Sequence, residues 1–479
     1  MMDIIFVNPP YEQIAKGFDC VKHISNRSPS LGLLHLAAQV KKDGFTCSII
    51  ESAIEGLNVE DVIDKIIQQK PTVVGITLFT VGVHNANLIA QGIKKFSPEI
   101  KILVGGPHIS SMGLETMQRF DSFDIAVLHE GEITLSKLLF ALKNQESIDI
   151  IEGIIYKDEK GNFHQTQPRK IQIELDDLPL PAWELLPNFP QQYPLTIFDF
   201  PKGPVATFSA SRGCPFKCEF CDTSTFGAKI RYYSPSKVFE MMQHLQKTYG
   251  IVHLQFVDDL FVASKKRILT LCQLIIENNF KMTWSCTARV DSINPEILHQ
   301  MKKAGCWEIS YGLESGSNAM LKNMKKATKV EQAINAVNWT HEAGIRCKGL
   351  LMLGYPGENE ESIEQTKEFV KHIPLTTMNL SKFTPYPGSP IYIKLYGTSI
   401  RDEDWDRMNG MNFIYTPENI SMETLNFEYR QILEGFYRRP QILLHYLKMS
   451  LKHPNHIFRL LKFACCSFMA KRNQKALST

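Results

Sequence analysis

Three cysteines within eight residues, Cys214, Cys218 and Cys221, constrain this chain more than any other feature. Thiols spaced C-x3-C-x2-C cannot all point into a protein core, but together they can bind one soft metal centre, such as an iron–sulfur cluster, zinc or copper(I). Structural zinc sites and four-iron clusters both normally take four protein ligands. No fourth cysteine lies at motif distance, since the next one along the chain is Cys272. The run therefore predicts a metal centre with one position open to a substrate.

Length and composition indicate a soluble protein of more than one domain. The 479 residues exceed what a single core usually holds, about 250–300 residues. A net charge of +3 gives no reason to expect a nucleic-acid partner. Eleven cysteines, mostly scattered singly, indicate a reducing compartment and not a disulfide framework. No apolar run is long enough to span a bilayer, and the N-terminus lacks the basic residues of a secretory signal. We therefore expect a cytoplasmic protein.

Residues 1–145 alternate short apolar runs with amphipathic segments. This alternation predicts an open parallel α/β sheet, in which ligands bind beyond the carboxyl ends of the strands. Thr77 and the pair Gly105 and Gly106 follow two of the predicted strands. The strands are expected at 4–7, 45–51, 73–77, 102–104 and 125–128, and the helices at 31–42, 59–69 and 88–96.

A connecting unit and a second α/β unit follow. Residues 146–200 are expected to form a hairpin around Asp158–Gly161 and then a proline-rich linker. Residues 201–395 contain six apolar strands, each ending in polar or Gly/Pro residues, with amphipathic helices between them. The cysteine run directly follows the first of these strands, which is where a β/α barrel places its chemistry.

The run C-x3-C-x-F-C, with Phe220 before its last cysteine, resembles the signature of the radical S-adenosylmethionine (SAM) superfamily. The resemblance implies a partial (β/α)6 barrel, a 4Fe–4S cluster held by the three cysteines, and SAM bound to the open iron. A zinc knuckle or a set of buried free thiols is the alternative. Five further motifs appear in the order that this family shows: FVDD at 256–259, ARVD at 288–291, GLES at 312–315, GYPGE at 354–358 and PYPGSP at 385–390.

The same resemblance implies that SAM lies among residues at the strand ends. A cationic sulfonium with an ammonium group favours carboxylates, an arginine can pair bidentately with a carboxylate, and a glycine lets the backbone approach the adenine. The implied residues are Asp258 or Asp259 for the amino group, Glu314 or Ser315 for the ribose or the methionyl part, Arg289 for the carboxylate, and Gly354 with Phe220 for the adenine. Three other cysteines are expected to be core thiols: Cys286, Cys306 and Cys347.

The N-terminal unit resembles the cobalamin-binding domain found ahead of many radical enzymes. In that fold a Ser/Thr strand end and a later Gly-Gly flank the nucleotide tail, and Thr77, Gly105 and Gly106 have compatible spacing. The Asp-x-His-x-x-Gly motif that supplies a lower histidine ligand to cobalt is absent, because residues 8–13 read NPPYEQ. We therefore expect cobalamin without that histidine. The alternative is that Gly-Gly-Pro is a plain turn and that His108 and His129 are only polar strand-end residues.

Residues 396–479 are expected to form a basic, mostly helical extension. From Arg430 onward there are ten Lys/Arg and one acidic residue, Glu434, and apolar residues recur at helical spacing. Such a segment can pack on the barrel with a solvated basic face, which we expect, or lie peripherally on an anionic membrane.

The whole layout resembles cobalamin-dependent radical SAM enzymes such as the anaerobic magnesium-protoporphyrin ester cyclase and the hopanoid and bacteriochlorophyll C-methylases. It implies a 5′-deoxyadenosyl radical that attacks an unactivated carbon of a small, lipophilic or tetrapyrrole-like substrate, followed by methylation or oxidation. An electron donor such as flavodoxin or ferredoxin would reduce the cluster. Two alternatives remain open. A methylthiotransferase usually has three further N-terminal cysteines, where this chain has only Cys20 and Cys47; the other alternative is a non-catalytic metal-binding scaffold.

Overall fold

The computed structural model describes residues 2–11, 26–170, 174–397, 399–452 and 457–462. Within them the chain forms an N-terminal α/β sheet, a six-stranded parallel barrel sheet and C-terminal helices. This is the α/β architecture that the sequence predicts.

Seven strands form the N-terminal sheet. Its first five strands run parallel, and the last two add an antiparallel edge. In chain order they are β1 (Met2–Asn8), β2 (Cys47–Glu51), β3 (Pro71–Thr77), β4 (Lys101–Gly105), β5 (Ile125–Val127), β6 (Ile154–Lys157) and β7 (Phe163–Gln165). Their order across the sheet is β2-β1-β3-β4-β5-β6-β7.

Helices cover both faces of this sheet, so its central strands are buried on both sides. Leu34 of α1 and Leu138 of α6 belong to one core, and Ile66 of α3, Ile89 of α4 and Ile109 of α5 belong to the other. The helices are α1 (Leu31–Lys42), α2 (Ser52–Glu55), α3 (Val59–Gln69), α4 (Val83–Phe96), α5 (Pro107–Arg119) and α6 (Glu132–Asn144).

The hairpin β6–β7 changes the expected domain boundary. Ile125 of β5 pairs antiparallel with Tyr156 of β6, so the hairpin belongs to the N-terminal sheet and not to a separate connecting unit. The boundary expected at residue 145 therefore falls inside the sheet. The turn at Asp158–Gly161 lies where it was expected, with Asp158 accepting from the Asn162 and Lys160 amides.

Six parallel strands form the barrel sheet, in the order in which they occur along the chain. They are β8 (Val205–Phe208), β11 (His253–Phe256), β12 (Thr283–Ala288), β13 (Cys306–Glu314), β14 (Arg346–Leu353) and β15 (Thr377–Lys382). The short strands β9 (Ser211–Arg212) and β10 (Arg231–Tyr232) pair separately. The helices around the barrel are α7 (Pro235–Tyr249), α8 (Lys265–Glu277), α9 (Pro295–Lys303), α10 (Asn318–Asn323), α11 (Val330–Glu342) and α12 (Glu360–His372).

The C-terminal extension packs on both sheets. A short 3-10 helix, Asp402–Arg407, places Trp405 against His108 of the N-terminal unit, with ring centroids 4.5 Å apart. Helix α13 (Pro390–Tyr396) ends the barrel unit, and the extension itself contains α14 (Met422–Tyr437) and α15 (Pro440–Lys452). No helix in the described part of the chain is long and apolar enough to cross a membrane.

Candidate cluster and cofactor site

The cysteine run forms a closed loop at the carboxyl end of β8. Strands β9 and β10 pair antiparallel and hold the two ends of the loop together. The Cys214 amide donates to the Gly227 carbonyl at 3.3 Å, where the loop crosses itself. Gly213 has a φ of +89°, and a Cβ there would lie 2.5 Å from the Lys229 carbonyl oxygen. Only glycine fits this crossing, so its position fixes where Cys214 begins the run.

The three thiols differ in environment. Cys218 is buried, Cys214 is half-buried and Cys221 is exposed. A hydrogen bond from Cys221 lowers the pKa of the Cys218 thiol to about 6, and the charges of Lys326 and Arg289 act in the same direction. The same hydrogen bond raises the pKa of Cys221, and burial raises that of Cys214. Two cations beside the loop suit a group whose thiolate ligands carry negative charge.

The donor set fits an iron–sulfur cluster with one open iron. Three thiols share one loop, one fewer than the four protein ligands that a four-iron cluster normally takes. Burial raises the pKa of the Cys272 thiol to about 12 and also raises that of Cys306 and Cys347. These three and Cys286 lie in the hydrophobic core, as expected for core thiols.

The two aspartates at the end of β11 differ in burial and in their hydrogen bonds. Asp258 is buried and accepts hydrogen bonds from the Ala210 amide at 3.0 Å and from the Ser211 hydroxyl. Burial raises its pKa to about 6. One oxygen of Asp258 thus holds the backbone of Ala210 and the other holds the side chain of Ser211, and both residues lead into the cysteine loop. Asp259 is exposed and accepts only from the Gly213 amide, at 3.2 Å, among the hydrogen bonds described. Of the two carboxylates, Asp259 is therefore the one accessible to a ligand.

Glu314 pairs with a lysine that the sequence motifs did not single out. Lys326 Nζ lies 2.6 Å from Glu314 Oε1, and both side chains are nearly buried. Burial disfavours the lysine charge, but Glu314 outweighs it and raises the pKa of Lys326. Glu314 has a φ of +61°, and a Cβ on Gly312 would lie 2.6 Å from its carboxylate oxygen. The only sequence signals for Lys326 are this glycine and the Lys325-Lys326 pair.

The guanidinium of Arg289 is already hydrogen-bonded within the chain. Its Nε and Nη2 donate to the two carboxylate oxygens of Asp291 at 3.0 and 2.8 Å, and Nη2 also donates to the Lys326 carbonyl. Its guanidinium stacks 3.5 Å from the centre of the Phe216 ring. In this structure the bidentate contact of Arg289 is made to Asp291, and its contact with the carboxylate of SAM stays a prediction. The arginine thereby braces the cysteine loop through Phe216, which lies inside it.

Ser315 and Gly354 are also occupied within the chain. The Ser315 hydroxyl is buried, lies 3.2 Å from the Thr366 hydroxyl and accepts from the Ser317 amide. A Cβ on Gly354, whose φ is +89°, would lie 2.8 Å from the Phe413 ring. Phe413 of the C-terminal extension thus approaches the backbone where we expected the adenine. Sequence spacing could not reveal these contacts, because both partners come from distant segments.

Phe220 has neighbours consistent with a ring-stacking position. It is half-buried and lies edge-on to Tyr355, with ring centroids 6.5 Å apart. Lys326 Nζ lies 5.7 Å from the centre of its ring. Phe220, Lys326 and Cys218 therefore enclose one small region of mixed aromatic and cationic character.

A buried ion-pair network joins the N-terminal sheet to the cysteine loop. Arg212 of β9 donates to Glu130 at 2.9 Å and to Glu132 at 2.7 Å, and Arg231 of β10 also pairs with Glu130. Burial raises the pKa of Glu132, but the charge of Arg212 outweighs it and lowers that pKa to about 2. His129 Nδ1 adds a contact of 2.6 Å to the Ser224 carbonyl. The carboxyl edge of the first sheet thus faces the loop of the second.

The three residues considered for cobalamin lie side by side at that edge. Thr77 and Gly105 are register partners in β3 and β4. A Cβ on Gly106, whose φ is +100°, would lie 2.9 Å from the Thr77 hydroxyl and 3.0 Å from the Leu78 carbonyl. Asn8, at the end of the neighbouring β1, has a buried side-chain oxygen without a hydrogen-bond partner. The narrow glycine edge and this open acceptor fit a polar cofactor tail.

Both ring nitrogens of His108 contact threonine hydroxyls within the N-terminal unit. Its Nδ1 lies 3.1 Å from the Thr80 hydroxyl and its Nε2 lies 3.1 Å from the Thr116 hydroxyl. Burial lowers its pKa to about 3. Both ring nitrogens are engaged, so His108 acts as a structural residue here and is not placed as a metal ligand.

Comparisons with known proteins agree with this two-unit arrangement. The radical SAM superfamily model matches residues 208–370, and the B12 binding domain model matches residues 19–139. An uncharacterized methyltransferase of Pyrococcus horikoshii is 29% identical over 446 residues, covering 93% of this chain and 94% of that protein. The anaerobic magnesium-protoporphyrin IX monomethyl ester cyclase of Rubrivivax gelatinosus is 25% identical, covering 87% of this chain and 74% of that protein.

A solved structure shares the fold. The radical SAM methyltransferase TsrM of Kitasatospora setae superposes with a TM-score of 0.67 at 17% identity, covering 83% of this chain and 76% of that one. The radical SAM model spans the cysteine loop and the elements from β9 into α12, and the B12 binding model spans strands β2 to β5 of the N-terminal sheet. The chain therefore combines a radical SAM domain with a B12-binding domain, as cobalamin-dependent radical SAM enzymes do.

Proposed function

We propose that this enzyme transfers a methyl group from SAM to an unactivated carbon of a small-molecule substrate, by way of cobalamin. The observation that carries the proposal is the buried network between Arg212 and the pair Glu130 and Glu132. It fixes the cysteine loop against the carboxyl edge of the first sheet, so that a bound cluster and a bound cobalamin would lie on facing sides of the two units. A relative matched over 94% of its length is named a methyltransferase, which supports the same assignment.

Two cofactors would supply the chemistry when bound. A reduced 4Fe–4S cluster would supply the electron that splits SAM into methionine and a 5′-deoxyadenosyl radical, and cobalamin would carry the methyl group. The chain positions them. Cys214, Cys218 and Cys221 hold the cluster. Gly213 and Asp258 set the path of the loop through the contacts described above. Arg289 supports the cysteine loop by stacking on Phe216.

We assign the SAM contacts on the same geometry. Asp259 is the exposed carboxylate at the end of β11 and would receive the ammonium group. Lys326 would face the carboxylate, because it is a buried cation whose charge acts on Cys218 and it pairs with only one oxygen of Glu314. Phe220 would contact the adenine. Ser315 and Gly354 would shape the pocket through Thr366 and Phe413 and not touch the ligand directly.

The cobalamin contacts follow from the edge of the first sheet. Thr77, Gly105 and Gly106 would flank the nucleotide tail, and the open side-chain oxygen of Asn8 would accept a hydrogen bond from it. No histidine from an Asp-x-His-x-x-Gly motif is available, so the lower face of the cobalt would have no such ligand. The enzyme would work in the cytoplasm with a donor such as flavodoxin or ferredoxin.

Oxidative cyclisation is the second candidate, because relatives named as cyclases match across most of this chain. The two outcomes differ in their by-products. Methyl transfer turns one SAM into S-adenosylhomocysteine and a second into 5′-deoxyadenosine and methionine, whereas cyclisation without methyl transfer forms no S-adenosylhomocysteine.

This difference defines the experiment. The full chain is reconstituted anaerobically with iron and sulfide, loaded with hydroxocobalamin or left without it, and given SAM and a low-potential reductant. We expect S-adenosylhomocysteine only in the cobalamin-loaded sample, and 5′-deoxyadenosine in both. 5′-Deoxyadenosine without S-adenosylhomocysteine in the loaded sample would contradict methyl transfer and favour the cyclase reaction.

A further inference from the structure

The last described helices carry an exposed apolar stripe. Leu443, Leu444, Leu447 and Leu451 of α15 are each at least half exposed. At 3.6 residues per turn they cover about 100° of the helix surface. Isolated exposed leucines are common on soluble proteins, but a contiguous row is not. Phe458 and Leu461 of the segment 457–462 add exposed fractions of 60% and 58%.

The opposite face of α15 is fixed to the barrel. Ile442 and Met449 are buried, and Tyr446 donates to the Thr377 hydroxyl at 2.9 Å. Arg346 contacts both His445 and Met449. The helix therefore cannot roll to hide its leucines without losing these contacts. The expected packing on the barrel is present, but it uses only one side of the helix.

Basic residues border the stripe. Lys448 and Lys452 are exposed and lie next to the leucines on the helix surface, and Lys462 is exposed on the segment that follows. The sequence beyond residue 462 continues with apolar residues and then with Lys471, Arg472 and Lys475. Ten Lys/Arg against one acidic residue from 430 onward give this end of the molecule a strongly positive charge. An apolar face bordered by lysines is complementary to an anionic lipid surface.

We propose that α15 and the segment 457–462 dock this enzyme on the surface of an anionic membrane. The stripe would enter the headgroup region, and the lysines would contact lipid phosphates.

The position of α15 on the barrel also sets the orientation of the docked enzyme relative to the membrane. Arg346 and Thr377, which hold α15, are the first residues of β14 and β15, whereas the cysteine loop lies at the carboxyl end of the barrel. Strands of this length separate the two ends by roughly 25 Å. Docking would thus leave the cofactor edge turned away from the lipid. Docking would anchor the enzyme but would not deliver a substrate from the bilayer to the site. The docking proposal does not depend on which reaction the site performs.

The experiment uses the full chain and vesicle flotation. We compare phosphatidylcholine vesicles with vesicles that also contain phosphatidylglycerol, at low and high salt. The variants are Leu447→Glu/Leu451→Glu and Lys448→Glu/Lys452→Glu. The matched control is Leu88→Glu/Phe96→Glu on α4, which changes two exposed apolar residues of the N-terminal unit.

We expect the wild type and the control to bind the anionic vesicles roughly tenfold more than the neutral ones, and to lose binding at high salt. Both α15 variants should fall to the level seen with neutral vesicles, while they still form 5′-deoxyadenosine in solution. Equal binding by Leu447→Glu/Leu451→Glu and wild type would overturn the proposal. The proposal would also be overturned if the wild type were a dimer and Leu447→Glu/Leu451→Glu were a monomer, because a second copy of the chain would then cover the stripe. Vesicle binding by a chain ending at residue 462, but not by the full chain, would show that residues 463–479 cover it, and would overturn the proposal as well.

Discussion

Arg212 donates to Glu130 at 2.9 Å, and this buried contact joins the strand that enters the cysteine loop to the loop that follows β5. A second arginine, Arg231, meets the same carboxylate from the other end of the cysteine loop. Glu132 completes the network through Arg212. One carboxylate of the N-terminal unit therefore holds both ends of the cluster-binding loop, so its loss should affect both units.

Glu130→Gln should destabilise the protein by about 3–5 kcal/mol, because it leaves two arginines in a buried site without their shared negative charge. Urea unfolding followed by circular dichroism measures the loss. Glu296→Gln is the control, since the pair of Glu296 with Lys265 is exposed and is worth about 1 kcal/mol at most. Similar losses for the two variants would contradict the structural role of the network.

Lys326→Met should weaken SAM binding roughly tenfold or more without loss of iron, because the lysine is expected to pair with the ligand and not with the cluster. Equilibrium binding of SAM to the reconstituted protein, with an iron count on the same sample, measures both. Lys322→Met changes an exposed lysine of α10 and should leave binding unchanged. If Lys326→Met binds SAM like the wild type, the carboxylate contact lies elsewhere.

Glu358 should make stability depend on pH. It is buried two residues before α12 and accepts a hydrogen bond from the Gly354 amide at 2.5 Å, and burial raises its pKa to about 7. A carboxyl whose folded pKa exceeds its unfolded value stabilises the fold while it is protonated. Its contribution should therefore fall as the pH rises from about 4.5 to about 7, by about 3 kcal/mol in total.

Glu358→Gln should remove that dependence. The measurement is the difference in free energy of unfolding between the variant and the wild type at pH 5 and at pH 7.5. We expect the variant to gain relative stability at the higher pH. Glu361→Gln, at an exposed position of α12, should show no such change. A difference that stays constant between the two pH values would show that Glu358 does not titrate in this range.

Exposed lysines around the cysteine loop should guide the electron donor. Lys217 and Lys229 are exposed on the loop itself, and the side chains of Lys325 and Lys394 beside it are 63% and 56% exposed. Lys217→Glu/Lys229→Glu should slow turnover driven by flavodoxin severalfold, with a larger effect at low salt. Turnover driven by dithionite should not change. Equal slowing with both reductants would mean that the substitutions disturb the cluster and not the docking of the donor.

Periodic patterns predicted the regular elements well. Helices α1 and α3 begin and end where the apolar spacing placed them. The six barrel strands, predicted at 205–209, 254–257, 282–286, 307–313, 348–353 and 379–383, all lie within two residues of those bounds. Alternation is reliable here because each strand is buried on both faces and each helix on one. The hairpin β6–β7 was assigned to the wrong unit, since its own residues do not specify which edge strand it joins.

The site was predicted less completely. The cysteine loop and the aspartates follow from a local motif, so their position could be read from the sequence. Lys326, Phe413 and Trp405 could not, because they contact Phe220, Gly354 and His108, respectively, across long sequence separations. Arg289 is a related case: its motif was recognised, but its bidentate pairing with Asp291, only two residues away, was not predicted.

Cleavage of SAM by the anaerobically reconstituted protein tests the central claim most directly. Wild type should carry about four irons and form 5′-deoxyadenosine from SAM and dithionite. Cys218→Ala should lose both the cluster and the product, whereas Cys272→Ala, which changes a core thiol of α8, should keep both. A wild-type protein that holds one tightly bound zinc and forms no 5′-deoxyadenosine would contradict the account.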